Sequence, residues 1–118
     1  MYLRSIVFLS LSFVASFNLY ASEPEGSHAS NEWQIWAYSK AAPSFLGNFA
    51  SVVSGTGEMI REGVNGWTCT ATKPMPEDGF STPHHAFALC ADDEGFKWAS
   101  AYMEGTSPNM ERDAYIWM

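Results

Sequence analysis

The chain has 118 residues, of which 13 are acidic and 6 are basic, and its formal net charge is −7. This acidic balance argues against nucleic acid or an anionic membrane as a partner, because no basic patch is present to release counterions. Aromatic residues make up 15% of the chain and include five tryptophans, whose large buried areas exclude a disordered protein.

Residues 1–21 have the pattern of a cleavable secretory signal peptide. Arg4 is their only charge, and the apolar run that follows it is shorter than the roughly 20 residues that a membrane-spanning helix needs. Cleavage is expected after Ala21, with Ser16 and Ser22 as alternative sites, and an uncleaved N-terminal anchor is the competing interpretation. The mature protein is therefore predicted to be exported, to the periplasm or the medium, and to keep no stable membrane anchor.

The mature part is predicted to consist of a flexible leader at 22–30 and a single domain at 31–118. A first helix is expected to begin near Ser30 or Asn31, because either side chain can cap it. Pro43 ends this helix and opens a second short helical turn. The first helix carries an aromatic stripe at three- and four-residue spacing, made by Trp33, Trp36, Ala37 and Lys40.

Residues 49–72 are predicted to form a three-stranded antiparallel meander. Short β-rich runs alternate there with turns, and Asn65-Gly66 is the strongest two-residue hairpin signal in the chain. In the third run, Trp67 and Cys69 alternate with threonines, as expected for a half-buried strand.

The proline-rich segment 73–82 is predicted to be a loop. A last helix is expected from Asp92 or Asp93 to about Glu104, because acidic residues in its first turn suit the positive end of the helix dipole. Gly105 is well placed to end that helix in a left-handed conformation.

Cys69 and Cys90 are the only cysteines of the chain. An even count in an exported protein predicts a disulfide between them. Two alternatives stay open at this point, namely a metal site shared with His84 and His85, and two free thiols. The disulfide is favoured because zinc signatures usually contain a closely spaced cysteine pair, which this chain lacks.

His84 and His85 are the one cluster that suggests a metal. Adjacent histidines in a strand point to opposite faces, so a shared ion needs an irregular loop, with Asp78 or Cys90 joining. Solvated or capping loop histidines are the simpler interpretation. No cofactor is expected, and no catalytic residue can be assigned, because the sequence has no G-x-S-x-G elbow or comparable signature.

The final residues 114–118 are apolar and strand-like, so the natural protein is expected to continue beyond them and to supply the missing partners of that strand. The elements together predict an α+β fold. It comprises an N-terminal helix, a three-stranded antiparallel meander, a C-terminal helix and one disulfide, and it is incomplete at its C-terminus.

Residues 61–69 resemble the R-E-G-x-N-G-W-T-C run of a group of uncharacterised exported bacterial proteins that share a second, downstream cysteine. The likeness continues through Cys90-x-Asp92 and Ala114-Tyr115, and it departs at Gly95, where the group carries a tryptophan. The resemblance implies an exported α+β protein with a cysteine pair and a chain that runs on past Met118. It implies no activity.

These observations predict a small, exported, non-enzymatic binding or structural protein of the cell envelope, with no ligand or partner identified. One alternative is a hydrolase-like enzyme whose site is completed by a missing C-terminal segment. The other is a metal-binding protein that uses His84 and His85.

Overall fold

A computed structural model describes residues 22–118, so the signal-peptide interpretation of residues 1–21 lies outside the described residues. The helices and strands in chain order are α1 (Asn31–Ser39), α2 (Ser44–Gly47), β1 (Ser51–Val53), β2 (Met59–Arg61), β3 (Trp67–Thr70), α3 (Pro83–Ala86), β4 (Leu89–Asp92), α4 (Asp93–Glu104) and β5 (Ile116–Trp117). In this part of the chain no helix is both long and apolar enough to cross a bilayer.

The five strands form one mixed sheet in the order β2-β1-β3-β4-β5. Strand β1 pairs parallel with β3, while the other three pairs are antiparallel. The fold is therefore α+β with one sheet and one disulfide, as the sequence predicted at that level.

The predicted three-stranded antiparallel meander is wrong in its third strand. Strand β3 lies beside β1 rather than beside β2, so Asn65-Gly66 does not make a two-residue hairpin. The Asn65 side chain instead accepts the Trp67 N–H at 3.1 Å and donates to the Leu46 carbonyl at 2.9 Å. These bonds hold the turn against α2. The chain therefore passes around the end of β1 and forms β3 along the edge of β1 that faces away from β2.

Where the chain passes around the end of β1, position 63 has room only for a residue without a side chain. The Gly63 N–H donates to the Ser51 hydroxyl at 2.9 Å, and the next N–H, of Val64, donates to the Phe49 carbonyl at 2.9 Å. A Cβ on Gly63 would overlap backbone atoms of residues 49–51. The glycine of the 61–69 run is thus required by close backbone approach.

The predicted caps of α1 and α4 are found, but α1 ends at Ser39, four residues before Pro43. The Ser30 side chain accepts the Trp33 N–H and caps α1, and α2 follows directly after Pro43. The Asp92 carboxylate accepts the Gly95 N–H at 2.8 Å and caps α4, which ends at Gly105 with a φ of 70°.

Two elements were not predicted. The one-turn helix α3 occupies the histidine segment that was expected to be an irregular loop, and β4 follows it directly. All four residues of β4 are buried, including the cysteine that bonds to β3. A strand buried on both faces has no alternating pattern, so its sequence, Leu-Cys-Ala-Asp, does not show the strand period.

The core lies between α1 and the sheet. Trp33 and Tyr38 of α1 are fully buried, and they pack in one cluster with Val52 of β1, Cys69 of β3 and Cys90 of β4. Helix α4 packs elsewhere, beside β4 and β5, where a Cβ at Gly95 would meet the Tyr115 carbonyl and the Ala91 side chain.

The C-terminal segment 110–117 is held to this assembly by charge as well as by the β4–β5 pairing. Arg112 donates to the Asp92 carboxylate at 2.8 Å, and the Glu111 N–H donates to the Glu94 carboxylate at 3.1 Å. Burial raises the pKa of Asp92, but bonds from Arg112 and from the Gly95 and Tyr115 backbone outweigh it. The net pKa of Asp92 is below its ordinary value of 3.8.

Acid is therefore expected to release this segment. A carboxyl whose pKa is depressed in the folded state stabilises that state above its unfolded pKa and loses this contribution as the pH falls through the folded value. The amide NMR signals of Ile116 and Trp117 should hence move toward unstructured positions below about pH 4. In Asp92→Asn this shift is expected already at pH 7, whereas the exposed Asp113→Asn control keeps the native behaviour. An unchanged acid transition in Asp92→Asn would contradict the assignment.

Candidate functional site

A groove of about 520 Å³ lies between α1 and α3. Its lining is mainly apolar, with two basic side chains, and consists of Ala37, Lys40, Ala41, Pro83, His84, Phe87, Ala88 and Met118. Its volume falls in the range of about 300–1,000 Å³ that small-molecule sites occupy. We call it the α1–α3 groove.

Local sequence explains how each wall is placed. Ala37 lies in the last turn of α1 and Ala41 lies two residues beyond its end, and their small side chains leave the groove floor open. Pro83 opens α3 at a position that suits proline, because the missing N–H would be unpaired there in any residue. Phe87 ends α3 with a φ of 46°, the left-handed region, and its side chain is 49% exposed.

The disulfide fixes the second wall. Cys69 and Cys90 face each other across the β3–β4 pair and form the predicted bond. The segment between them carries α3 and Phe87, so the bond closes the loop from which that wall is built. A disulfide of this kind indicates a non-cytoplasmic setting, since thiols in the cytosol are kept reduced.

The two histidines of α3 have different surroundings. His85 Nδ1 lies 2.6 Å from the Ser81 hydroxyl and 3.1 Å from the Thr82 hydroxyl, so it interacts with the residues that begin the helix. His84 lines the groove and packs against Phe87 with ring centroids 5.5 Å apart. Among residues 22–118, no three His, Cys, Asp or Glu side chains converge as metal ligands.

The Ser81–His85 contact has the residue types of a nucleophile and its base. Both side chains are exposed, and the described residues give His85 no hydrogen-bonded carboxylate that could orient its ring. Nucleophilic catalysis needs that third group and a site for the developing oxyanion. The spacing of four residues across the start of α3 is sufficient to bring these two exposed side chains into contact.

Residues 22–30, expected to be a flexible leader, contact the domain. His28 stacks on Trp33 with centroids 4.3 Å apart and an interplanar angle of 13°, and its Nδ1 lies 2.6 Å from the Phe80 carbonyl. The Glu23 carboxylate accepts the Trp33 indole N–H at 3.0 Å. These contacts cover the start of α1, at the opposite end from the groove residues Lys40 and Ala41. The flexibility of the leader itself stays a prediction.

A second apolar surface lies on α4. Trp98 and Tyr102 stack nearly parallel, with centroids 5.5 Å apart, and both are exposed. A cavity of about 620 Å³ runs from Trp98 to Tyr115, but the cation that lines it, Arg112, is already paired with Asp92. We therefore regard the α1–α3 groove, whose basic groups form no ion pair with a described residue, as the candidate site.

Sequence reasoning found part of this site. His84 was singled out for a metal, whereas the structure places it on a groove wall with Phe87, a residue that had drawn no attention. Lys40 was recognised only as the end of the aromatic stripe on α1. The groove itself has no sequence signal, because its walls lie more than 40 residues apart in the chain.

Comparisons of the chain with models of known protein families, with curated proteins and with solved structures find no match. The resemblance through residues 61–69 therefore stays a prediction, and the site has to be interpreted from its own chemistry.

Proposed function

We propose that this chain is an exported, non-enzymatic binding protein of the cell envelope and that the α1–α3 groove is its ligand site. The observation that supports this proposal is the groove itself, an apolar cavity of about 520 Å³ with a few basic groups at its walls. An apolar pocket with few convergent polar groups is the usual form of a small-molecule site. The signal-like N-terminus and the disulfide support the exported setting.

The enzyme and metal-binding alternatives have less structural support. A hydrolase-like activity completed by further C-terminal sequence has the exposed Ser81–His85 contact as its only described support. Metal binding through His84 and His85 has no third ligand within the described part of the chain. The groove lining includes neither Ser81 nor His85, so the contact that supports the enzyme alternative lies outside the groove.

The proposal is tested with the neutral apolar dye Nile red and the variant Phe87→Asn. Asparagine tolerates the left-handed backbone of this position, so the variant is expected to fold. It removes a half-exposed aromatic wall, and dye affinity should fall about tenfold, since burying such a ring is worth about 1.5–3 kcal/mol.

The matched control is Phe45→Asn. Phe45 is 69% exposed on α2 and does not line the groove, so its loss should leave the fluorescence titration unchanged. Equal dye binding by all three proteins, or no dye binding by the wild type, would contradict the proposed site. The mass of the protein recovered from the periplasm or the medium of its own cells checks export, because cleavage after Ala21 predicts a chain that begins at Ser22.

A further inference from the structure

Most cations in the described part of the protein are already engaged. Lys97 binds the Glu94 carboxylate at 2.7 Å, and Arg112 binds Asp92 at 2.8 Å. Arg61 is half-buried and donates to two backbone carbonyls at the start of β1 and the end of α2. Within residues 22–118 this leaves two lysines without an ion-pair partner.

One of these lysines lines the α1–α3 groove, and the other lies against the ring of a groove residue. Lys40 lines it, and its ammonium is 4.6 Å from the centre of the Trp36 ring. The Lys73 ammonium is 5.4 Å from the centre of the Phe87 ring, which forms a groove wall. His84 adds a third basic group at the same wall. The aromatic faces hold each ammonium in place, yet they use none of its three N–H donors.

This placement is unusual for so acidic a protein. With a net charge of −7, a lysine on this surface has many carboxylates from which to draw a partner. Lys40 and Lys73 instead rest on aromatic rings, so that Lys40 presents positive charge at the lining of the apolar groove and Lys73 presents it beside the Phe87 wall. An anion with an apolar body satisfies both features at once, because the charged end pairs with Lys40 while the body fills the groove.

From this placement we infer that the ligand of the groove is a free organic anion with an aliphatic body, such as a medium-chain carboxylate. The inference rests on the proposed function and specifies its ligand class. The net charge of −7 is repelled far more strongly by the many headgroups of an anionic bilayer than by a single small anion, so the anion is taken as a free molecule rather than as a headgroup within a membrane.

The test compares three probes that share one alkyl chain and differ in charge, namely octanoate, octanol and octyltrimethylammonium. Amide NMR titrations of the whole mature protein should give shifts at Ala37, Ala41 and Ala88 for octanoate at the lowest concentration. Octanol should need about tenfold more, and octyltrimethylammonium should bind least. Added salt should weaken octanoate binding and leave octanol binding unchanged.

Two lysine variants test whether the positive charge that binds octanoate is the one at the groove. Lys40→Met keeps the apolar stem and removes the ammonium, and it should lower octanoate affinity about tenfold without changing octanol affinity. Lys97→Met is the matched control, because Lys97 is a paired lysine away from the groove, and it should bind octanoate as the wild type does.

The outcomes separate the two proposals. If no probe shifts the groove amides, both the binding site and its ligand class are overturned. Equal binding of the three probes, or octanol affinity that falls with Lys40→Met, overturns the anion alone and keeps the groove as a site. Capture of the protein by phosphatidylglycerol vesicles without octanoate binding overturns the assignment to a free molecule.

Discussion

Loss of the Cys69–Cys90 disulfide is expected to lower the free energy of unfolding by about 3 kcal/mol, the value for a loop of this length in the chain-entropy model. The two cysteines are 21 positions apart in the sequence, and both are fully buried. The total stability of a domain is only about 5–15 kcal/mol, so this one bond is a large part of it. Urea unfolding of the wild type and of the double variant Cys69→Ala, Cys90→Ala measures the difference.

A second way of breaking the bond serves as the control. Reduction of the wild type keeps both sulfur atoms in the core, whereas the double variant also removes their volume. Similar losses in the two cases assign the effect to the cross-link, and a larger loss in the variant assigns the excess to packing. An unchanged urea midpoint in reducing agent would contradict a stabilising disulfide.

The same bond is expected to matter for the groove. The loop that it closes contains α3 and Phe87. Apart from the disulfide, a hydrogen bond also holds this loop, because the Thr72 hydroxyl donates to the Phe87 carbonyl at 2.6 Å. Without the cross-link, the α3 wall of the groove is less ordered. Part of the binding free energy is then used to order this wall, so the apparent affinity for a ligand falls. Nile red should therefore bind the reduced protein more weakly, even under conditions where it remains folded.

Local signals in the sequence were sufficient for α1, α2 and α4 and for the hairpin of β1 and β2, but not for α3. Ser30, Pro43, Asp92 and Gly105 act through their immediate neighbours, so their effects can be predicted without knowing the fold. The cysteine pair was equally accessible, because composition and compartment indicate a disulfide before any geometry is known.

The position of β3 could not be predicted in that way. Asn65-Gly66 has the composition of a tight hairpin turn. The chain does not form a hairpin there because the Leu46 carbonyl, 19 residues away, binds the Asn65 amide. Gly63 contributes through backbone contact with residues 49–51. Both interactions are tertiary, and a local pattern carries no information about them.

The buried residues of α1 could likewise be predicted only in part from the sequence. Trp33 and Ala37 of the aromatic stripe are buried. Trp36 is only half-buried, and Lys40 is exposed. Tyr38 and Gln34, which the stripe leaves out, are also buried. A buried glutamine has no hydrophobic signal, so its role is visible only from its hydrogen bonds.

Gln34 is expected to be the most sensitive polar residue of the core. Its Nε2 donates to the Ala29 and Ser30 carbonyls at 2.9 and 3.3 Å, and its Oε1 accepts the Gly55 N–H at 2.8 Å and the Tyr38 hydroxyl at 3.2 Å. The amide thereby joins the start of α1 to the turn between β1 and β2. All of its hydrogen-bonding groups are used, which is the condition under which a buried amide stabilises a fold.

Gln34→Leu should therefore cost about 3 kcal/mol in the free energy of unfolding, although leucine has a similar size. The loss comes from the partners, since each buried donor or acceptor left without a bond costs about 1–3 kcal/mol. The Gly55 N–H and the Ala29 carbonyl, both in half-buried residues, are two groups that lose their bond to Gln34. Urea unfolding gives the magnitude, and octanoate binding should be retained because Gln34 does not line the groove.

A double-variant cycle with Tyr38→Phe shows whether the network is the cause. Burial raises the pKa of Tyr38 to about 12, so its hydroxyl keeps its proton at neutral pH and donates to Gln34. Tyr38→Phe should destabilise the wild type by about 1 kcal/mol but have little effect in the Gln34→Leu background, where the acceptor is already lost. Additive losses would mean that the two side chains act independently. In that case the sensitivity of Gln34 would arise from its bonds to the backbone of residues 29, 30 and 55, and the link between α1 and the β1–β2 turn would depend on the Gly55 N–H alone.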